Sequence, residues 1–171
     1  SQIADVRPNW DQKKIGELAY KTEVKEFNEP GGMMDQYTTA MGNLIYIQSE
    51  PDITIESLNP NLGTFVLGDS CEPKDTMGIL SRCRDARLEI IQKLKMKNPT
   101  FTIHTLGEGA DISDLNVSEI ELYKGTLRNR DLLKRAFSEL EKEELNHESI
   151  GQLLSNHHQV LRDVLQVSTP K

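Results

Sequence analysis

Between Lys13 and Phe27 the apolar positions Ile15, Leu18, Ala19 and Thr22 recur at helical spacing, which predicts an amphipathic helix. Asn28, Pro30, Gly31 and Gly32 interrupt it. A second, short helical pattern runs from Met33 to Met41 and stops at Gly42-Asn43. The period then changes. Leu44–Gln48 is an apolar run of strand length, Asp52–Ser57 alternates with Ile53 and Ile55 on one face, and Thr64–Ser70 is a third strand candidate. Asn59-Pro60-Asn61 and Gly63 separate the last two, so the reading is an antiparallel hairpin or meander.

Helical periodicity returns from Thr76 to Lys95, with Ile79, Leu80, Cys83, Ala86, Ile90, Ile91 and Leu94 on one stripe and Asn98-Pro99 as its stop. A short strand is expected over Thr100–Gly107, and the polar stretch 108–130 reads as irregular with a turn of helix at Ser118–Tyr123. Two further helices are predicted. Asp131–Leu145 turns Leu132, Leu133, Ala136, Phe137 and Leu140 inward, and Glu148–Leu165 buries Ile150, Leu153, Leu154, Leu161 and Leu165. Strands clustered between helices, without strand–helix–strand alternation, predict an α+β chain in which helices pack on a small, mainly antiparallel sheet.

Composition narrows the function classes. The 171 residues are 36% hydrophobic and 27% charged, ordinary for a globular chain, and the 5% aromatic content leaves an aliphatic core. A net charge of −7 argues against sequence-independent binding to nucleic acid or to anionic membrane, both of which need clustered cations. Cys71 and Cys83 have no CxxC spacing and fit a reducing, cytoplasmic compartment. No stretch reaches the length of a membrane span. The opening "SQIADVRPNW" has no initiator methionine and reads as the continuation of a longer chain.

Among chemistry-bearing residues, Asp35 stands out. Pro30-Gly31-Gly32 lets backbone N–H groups approach a ligand, and the helix that follows offers unpaired donors and a positive dipole end. A carboxylate there is favoured as the anion and can accept a proton from a substrate hydroxyl; equally, it can serve only the helix itself, as a cap or dipole complement. His158, sharing a face with Leu154 and Leu161, is expected to be a partly buried, hydrogen-bonded histidine, and no second ligand stands near it for a metal. His104 reads as a strand residue, Cys83 as a core thiol, and Cys71 as the more exposed of the two. Arg82–Arg87 offers a phosphate-binding or simply a solvated face, and Glu141–Glu144 a solvated one.

Four segments, in order, add a resemblance. "PGGMMDQYTTAMGN" resembles the P-C-G-x-M-D-Q segment of galactokinases in the GHMP superfamily of sugar and small-molecule kinases. "FVLGDSCEPK" resembles that family's strand ending in an Asn-Ser pair before a His-containing turn, and "SRCRDARLE" its Tyr-x-x-Arg-Arg-x-x-Cys-Glu helix. "YKGTLRNRDLLKRAF" and "IGQLLSNHHQVLRDVLQVSTP" resemble its late helices. The resemblance implies ATP- and Mg²⁺-dependent phosphorylation of a monosaccharide hydroxyl, galactose-like and anomeric, with Asp35 beside the attacking oxygen, Gly32 touching the sugar through its backbone and Ser81 at the sugar pocket. It divides the chain into 1–43, the end of the N-terminal domain, and 44–171, much of the C-terminal domain. Departures fall at Asp69, Lys74, Ser81, Asp85 and Leu88, where the family carries Asn, His, Tyr, Arg and Cys; loss of the aromatic at Ser81 points to a different aldose or a sugar acid derivative. The family's serine-ended, phosphate-wrapping glycine loop has no counterpart here, and "LGEGAD" has neither its spacing nor its serines. ATP and Mg²⁺ are therefore expected to be held mainly outside these residues, which alone should not turn over. The alternative is a catalytically silent sugar-sensing regulator or binding module.

Overall fold

The computed structural model describes residues 10–29, 31–49, 52–69, 71, 76–101, 107 and 109–168, without the side chains of Thr76 and Leu80. It is a mixed helical chain with a small antiparallel sheet, and it divides into two compact units, Ser1–Asn59 and Pro60–Lys171.

In the first unit, α1 (Gln12–Tyr20) is started by Asp11, whose carboxylate accepts from the Lys14 N–H at 2.7 Å. It continues as a π-helical turn over Lys21–Lys25, where the Glu26 N–H reaches back five residues to the Lys21 carbonyl at 2.9 Å. The side of α1 that faces inward differs from the apolar stripe. Ile15 is 46% exposed, and Ala19 and Thr22 are exposed as well, whereas Gly16 and Val24 are buried. Packing sets this. α2 (Met34–Met41) lies against α1 at Gly16, where an added Cβ would sit 2.8 Å from the Tyr37 ring, so the smallest residue fixes the crossing point.

α2 ends at Gly42 and Asn43, with φ of 72° and 56° respectively, a left-handed turn that suits these two residue types. The hairpin follows directly: β1 (Leu44–Gln48) pairs antiparallel with β2 (Thr54–Leu58), from Leu44 opposite Leu58 to Gln48 opposite Thr54. A lone two-stranded sheet is marginal in water. This one buries Leu58 and adjoins α2 through β1, and the Lys13 ammonium ties α1 to the Ile53 carbonyl at 3.0 Å.

In the second unit, the strand expected over Thr64–Ser70 does not form through Asp69; Ser70 lies outside the described residues. Phe65, Val66 and Leu67 are 80%, 92% and 99% exposed. A strand needs a neighbour for its backbone groups, and among the described residues none pairs here, so apolar composition alone is not enough. The expected strand at Thr100–Gly107 falls mostly outside the described residues, as does His104. α3 (Thr76–Lys97) forms as predicted and buries Ile90 and Leu94.

α4 (Val117–Leu140) is longer and starts earlier than the helix expected at Asp131–Leu145, absorbing the single turn expected at Ser118–Tyr123. A reciprocal cap explains the start: Asn116 Oδ1 accepts from the Glu119 N–H at 3.0 Å, and Glu119 accepts from the Asn116 N–H at 2.9 Å. Lys93 of α3 pairs with the same Glu119. Ile90, Leu94, Phe101, Leu115 and Tyr123 make one core cluster, and the Tyr123 hydroxyl donates to the Gly107 carbonyl at 2.7 Å.

α5 (His147–Asp163), capped by Asn146, packs on α4 around Leu132, Leu153 and Val160. Leu133 and Leu154, expected inside, are 53% and 65% exposed, because the buried stripe of each helix is narrower than its apolar content. His158 shares the outward side of Leu154 and is exposed rather than partly buried. The C-terminal end of α5 is held by α3: Arg82 donates to the carbonyls of Leu165 and Gln166 at 3.2 and 2.9 Å, and the half-buried Cys83 thiol to that of Leu165 at 3.6 Å.

The loop before α4 is fixed by charge. Asp111 accepts from the Ser113 N–H at 3.0 Å, and Lys97 pairs with both Asp111 and Asp114. The Ser113 hydrogen bond, then Lys97, holds the Asp111 carboxyl down at about 2, against an ordinary 3.8. A depressed folded-state pKa contributes stability that is present above pH ~4 and is lost as pH falls through about 2. Thermal midpoints of the wild type should therefore fall more steeply between pH 4 and 2 than those of Asp111→Asn, with the difference fading in high salt because the pair is exposed. Parallel curves for the two proteins would show that this pairing does not stabilise the fold.

Candidate functional site

Asp35 occupies the second position of α2, one residue past Met34, with its side chain exposed. The residue at the cap is Met33, with φ −103° and ψ −3°, and no side chain caps the helix. Asp35 is thus not a capping residue: its carboxylate complements the positive end of the helix and faces solvent. The next residue is tied down. Gln36 donates to the Glu23 carboxylate at 2.8 Å, and Tyr37, 1% exposed, anchors the helix against Gly16. The carboxylate therefore stands on a rigid turn although it is itself unobstructed.

Gly32 is exposed, and a Cβ built there would meet nothing within 4 Å. The space above it is open to an approaching group. Gly31 is closer to the protein, 3.7 Å from a Val24 methyl by the same construction. Gly32 and Asp35 thus lie on one bend of the first unit. Ser81 belongs to the second unit, in the second turn of α3, partly buried. Of the neighbouring arginines, Arg82 serves the end of α5 and Arg84 pairs with Asp85 at 2.9 Å, which engages two of the cations considered for phosphate. Lys74 lies outside the described residues.

Asp35 lines neither of two concavities in the second unit. A cavity of about 210 Å³ between α4 and α5 is lined mainly by leucines and alanine, with His157 at its edge. A larger one, about 530 Å³, opens beside α4 and carries Lys124, Arg128 and Arg135. Sequence reasoning passed over these three cations because Lys124 and Arg128 fall in a stretch read as irregular and Arg135 in a helix read for its inward face; the signal available was their spacing, which puts them on one side of α4.

Among the described residues no group of three or more His, Cys, Asp or Glu could hold a metal ion, and no helix is long and apolar enough to cross a membrane. Comparison with family models, curated proteins and solved structures finds no match for this chain.

Proposed function

We propose that these residues form the middle-to-late part of a galactokinase-like sugar kinase of the GHMP superfamily, a two-domain enzyme that works in the cytoplasm and transfers the γ-phosphoryl group of ATP to a monosaccharide hydroxyl. The observation that carries the reading is the placement of Asp35: an exposed carboxylate in the first turn of a rigidly seated helix, directly after a glycine bend with open space over Gly32. Four segments resembling the family, in its order, support it.

Phosphoryl transfer asks a protein mainly to position the nucleophile and to neutralise charge. Asp35 meets the first demand. It accepts the hydrogen bond, and then the proton, of the sugar hydroxyl as that oxygen forms its bond to phosphorus and the bond to the ADP oxygen breaks. The Gly32 backbone lets the sugar ring lie close. Charge neutralisation falls to Mg²⁺ and to the phosphate-binding segment, and among the described residues no metal-ligating cluster is present.

The test is a substrate panel. The full protein carrying these residues, given ATP and Mg²⁺, should release ADP in the presence of one free aldose or sugar acid derivative and form its 1-phosphate, detected by phosphorus NMR. Sugar binding without ADP release would assign the protein to the sensing regulators instead. Neither binding nor turnover across the panel would remove both readings.

A further inference from the structure

The concavity beside α4 is lined mainly by basic and apolar residues. Between Tyr123 and Arg135 the helix carries five basic residues and one acidic one, in a chain whose net charge is −7. Lys124, Arg128, Asp131 and Arg135 follow at i, i+4, i+7 and i+11 and so share one side of α4, and all four line the cavity. Its volume of about 530 Å³ lies in the range of small-molecule sites. Lys124 and Arg128 stand one turn apart and repel each other, while Asp131 lies between Arg128 and Arg135.

Most polar groups around the cavity are donors, and the side-chain acceptors among them, on Asp131 and Asn156, each already hold a partner. Asp131 is held by Arg130 through its Oδ1 at 2.7 Å. Asn156, facing α4 from α5, receives the Gln152 amide on its Oδ1, which leaves its own N–H₂ to donate. Arg128 uses one guanidinium nitrogen on Gln159 at 3.3 Å. Lys124 and Arg135 are exposed and have no ion pair among the described residues. The floor is apolar, from Ile112 and Leu127, and the Asp111–Lys97 network fixes the loop that carries Ile112.

We propose that this cavity is a binding site for a small organic phosphate monoester, its phosphate held by Lys124, Arg128 and Arg135 and its carbon body resting on Ile112 and Leu127. Two guanidinium forks suit phosphate oxygens, and the apolar floor distinguishes an ester from the free ion. The site lies wholly in the second unit and does not depend on the role given to Asp35.

Phenyl phosphate, inorganic phosphate and phenol, titrated separately into the 171-residue protein and followed by amide NMR, give the test. Phenyl phosphate should saturate, shifting amides around Ile112 and Leu127; inorganic phosphate should bind more weakly and phenol not at all. Arg135→Ala and Lys124→Ala should each weaken phenyl phosphate binding by about tenfold, as expected for loss of a charge-assisted contact, and Arg135→Lys should restore part of it. Lys95→Ala removes the same charge from α3 outside the cavity and should leave binding unchanged. Equal loss in Lys95→Ala, equal binding of phenol, or no saturable shift with phenyl phosphate would each overturn the proposal.

Discussion

Replacing Asp35 by alanine in the full protein is expected to reduce sugar phosphorylation by about 10²–10⁴-fold, the usual contribution of a positioned general base. The loss should appear in kcat, with a smaller change in the KM for sugar, because the carboxylate acts most strongly as the hydroxyl loses its proton. Folding should be untouched. The side chain is exposed, caps nothing and leaves the Tyr37 anchor in place, so the thermal midpoint should stay within the range of ordinary surface substitutions. Asp35→Asn keeps the shape and removes the proton acceptor, and should be impaired comparably. A variant that retains near-normal rates on the preferred sugar would refute the role of this carboxylate, and with it the observation on which the kinase proposal rests.

The largest effect on stability is expected at Tyr37. Its ring is 1% exposed and meets α1 at Gly16, where an added Cβ would sit 2.8 Å from it. Tyr37→Ala removes the whole aromatic group from a small core that otherwise buries Val24 and Leu58. Aromatic-to-alanine changes in cores cost about 3–5 kcal/mol, from lost transfer free energy and from the cavity left behind. That is a large share of the stability of an ordinary domain, about 5–15 kcal/mol. Hydrogen exchange should therefore show loss of protection across α1, α2 and the β1–β2 hairpin. Tyr37→Phe keeps the ring and should cost less than about 1.5 kcal/mol. Similar exchange in the alanine variant and the wild type would mean that the α1–α2 contact does not hold this unit together. Burial also pushes the Tyr37 phenol pKa up, so its titration, followed by ultraviolet absorbance, reports whether the contact is intact.

Much of the architecture could be read from local signals. The glycine bend, the short helix ending at Gly42-Asn43 and the hairpin after it are each specified by residues within a few positions of the element, and each formed where expected. The position of Asp35 at a helix start was legible for the same reason. What failed depended on partners distant in sequence. Ile15, Leu133 and Leu154 are apolar and correctly spaced, yet the face that turns inward was decided by Gly16 on α1 and by the narrow Leu132–Leu153–Val160 contact between α4 and α5. The early start of α4 was missed although Asn116 and Glu119 carry the capping-box spacing, because the polar stretch before it was read as irregular. The cationic side of α4 was missed for a related reason: Lys124 and Arg128 lay in the stretch read as irregular, and the cavity beside them exists only once the loop bearing Ile112 and the α5 residue Asn156 are in place.

Phe65, Val66 and Leu67 stand almost fully in water with no charge among them. Each such side chain gains about 1.5–3 kcal/mol when covered. Neighbouring apolar residues of high β-propensity, without backbone partners, are the feature that promotes cross-strand aggregation. Preparations of this protein will thus be sensitive to concentration and to salting-out conditions, and a charged replacement at Val66 is the simplest way to keep them colloidally stable.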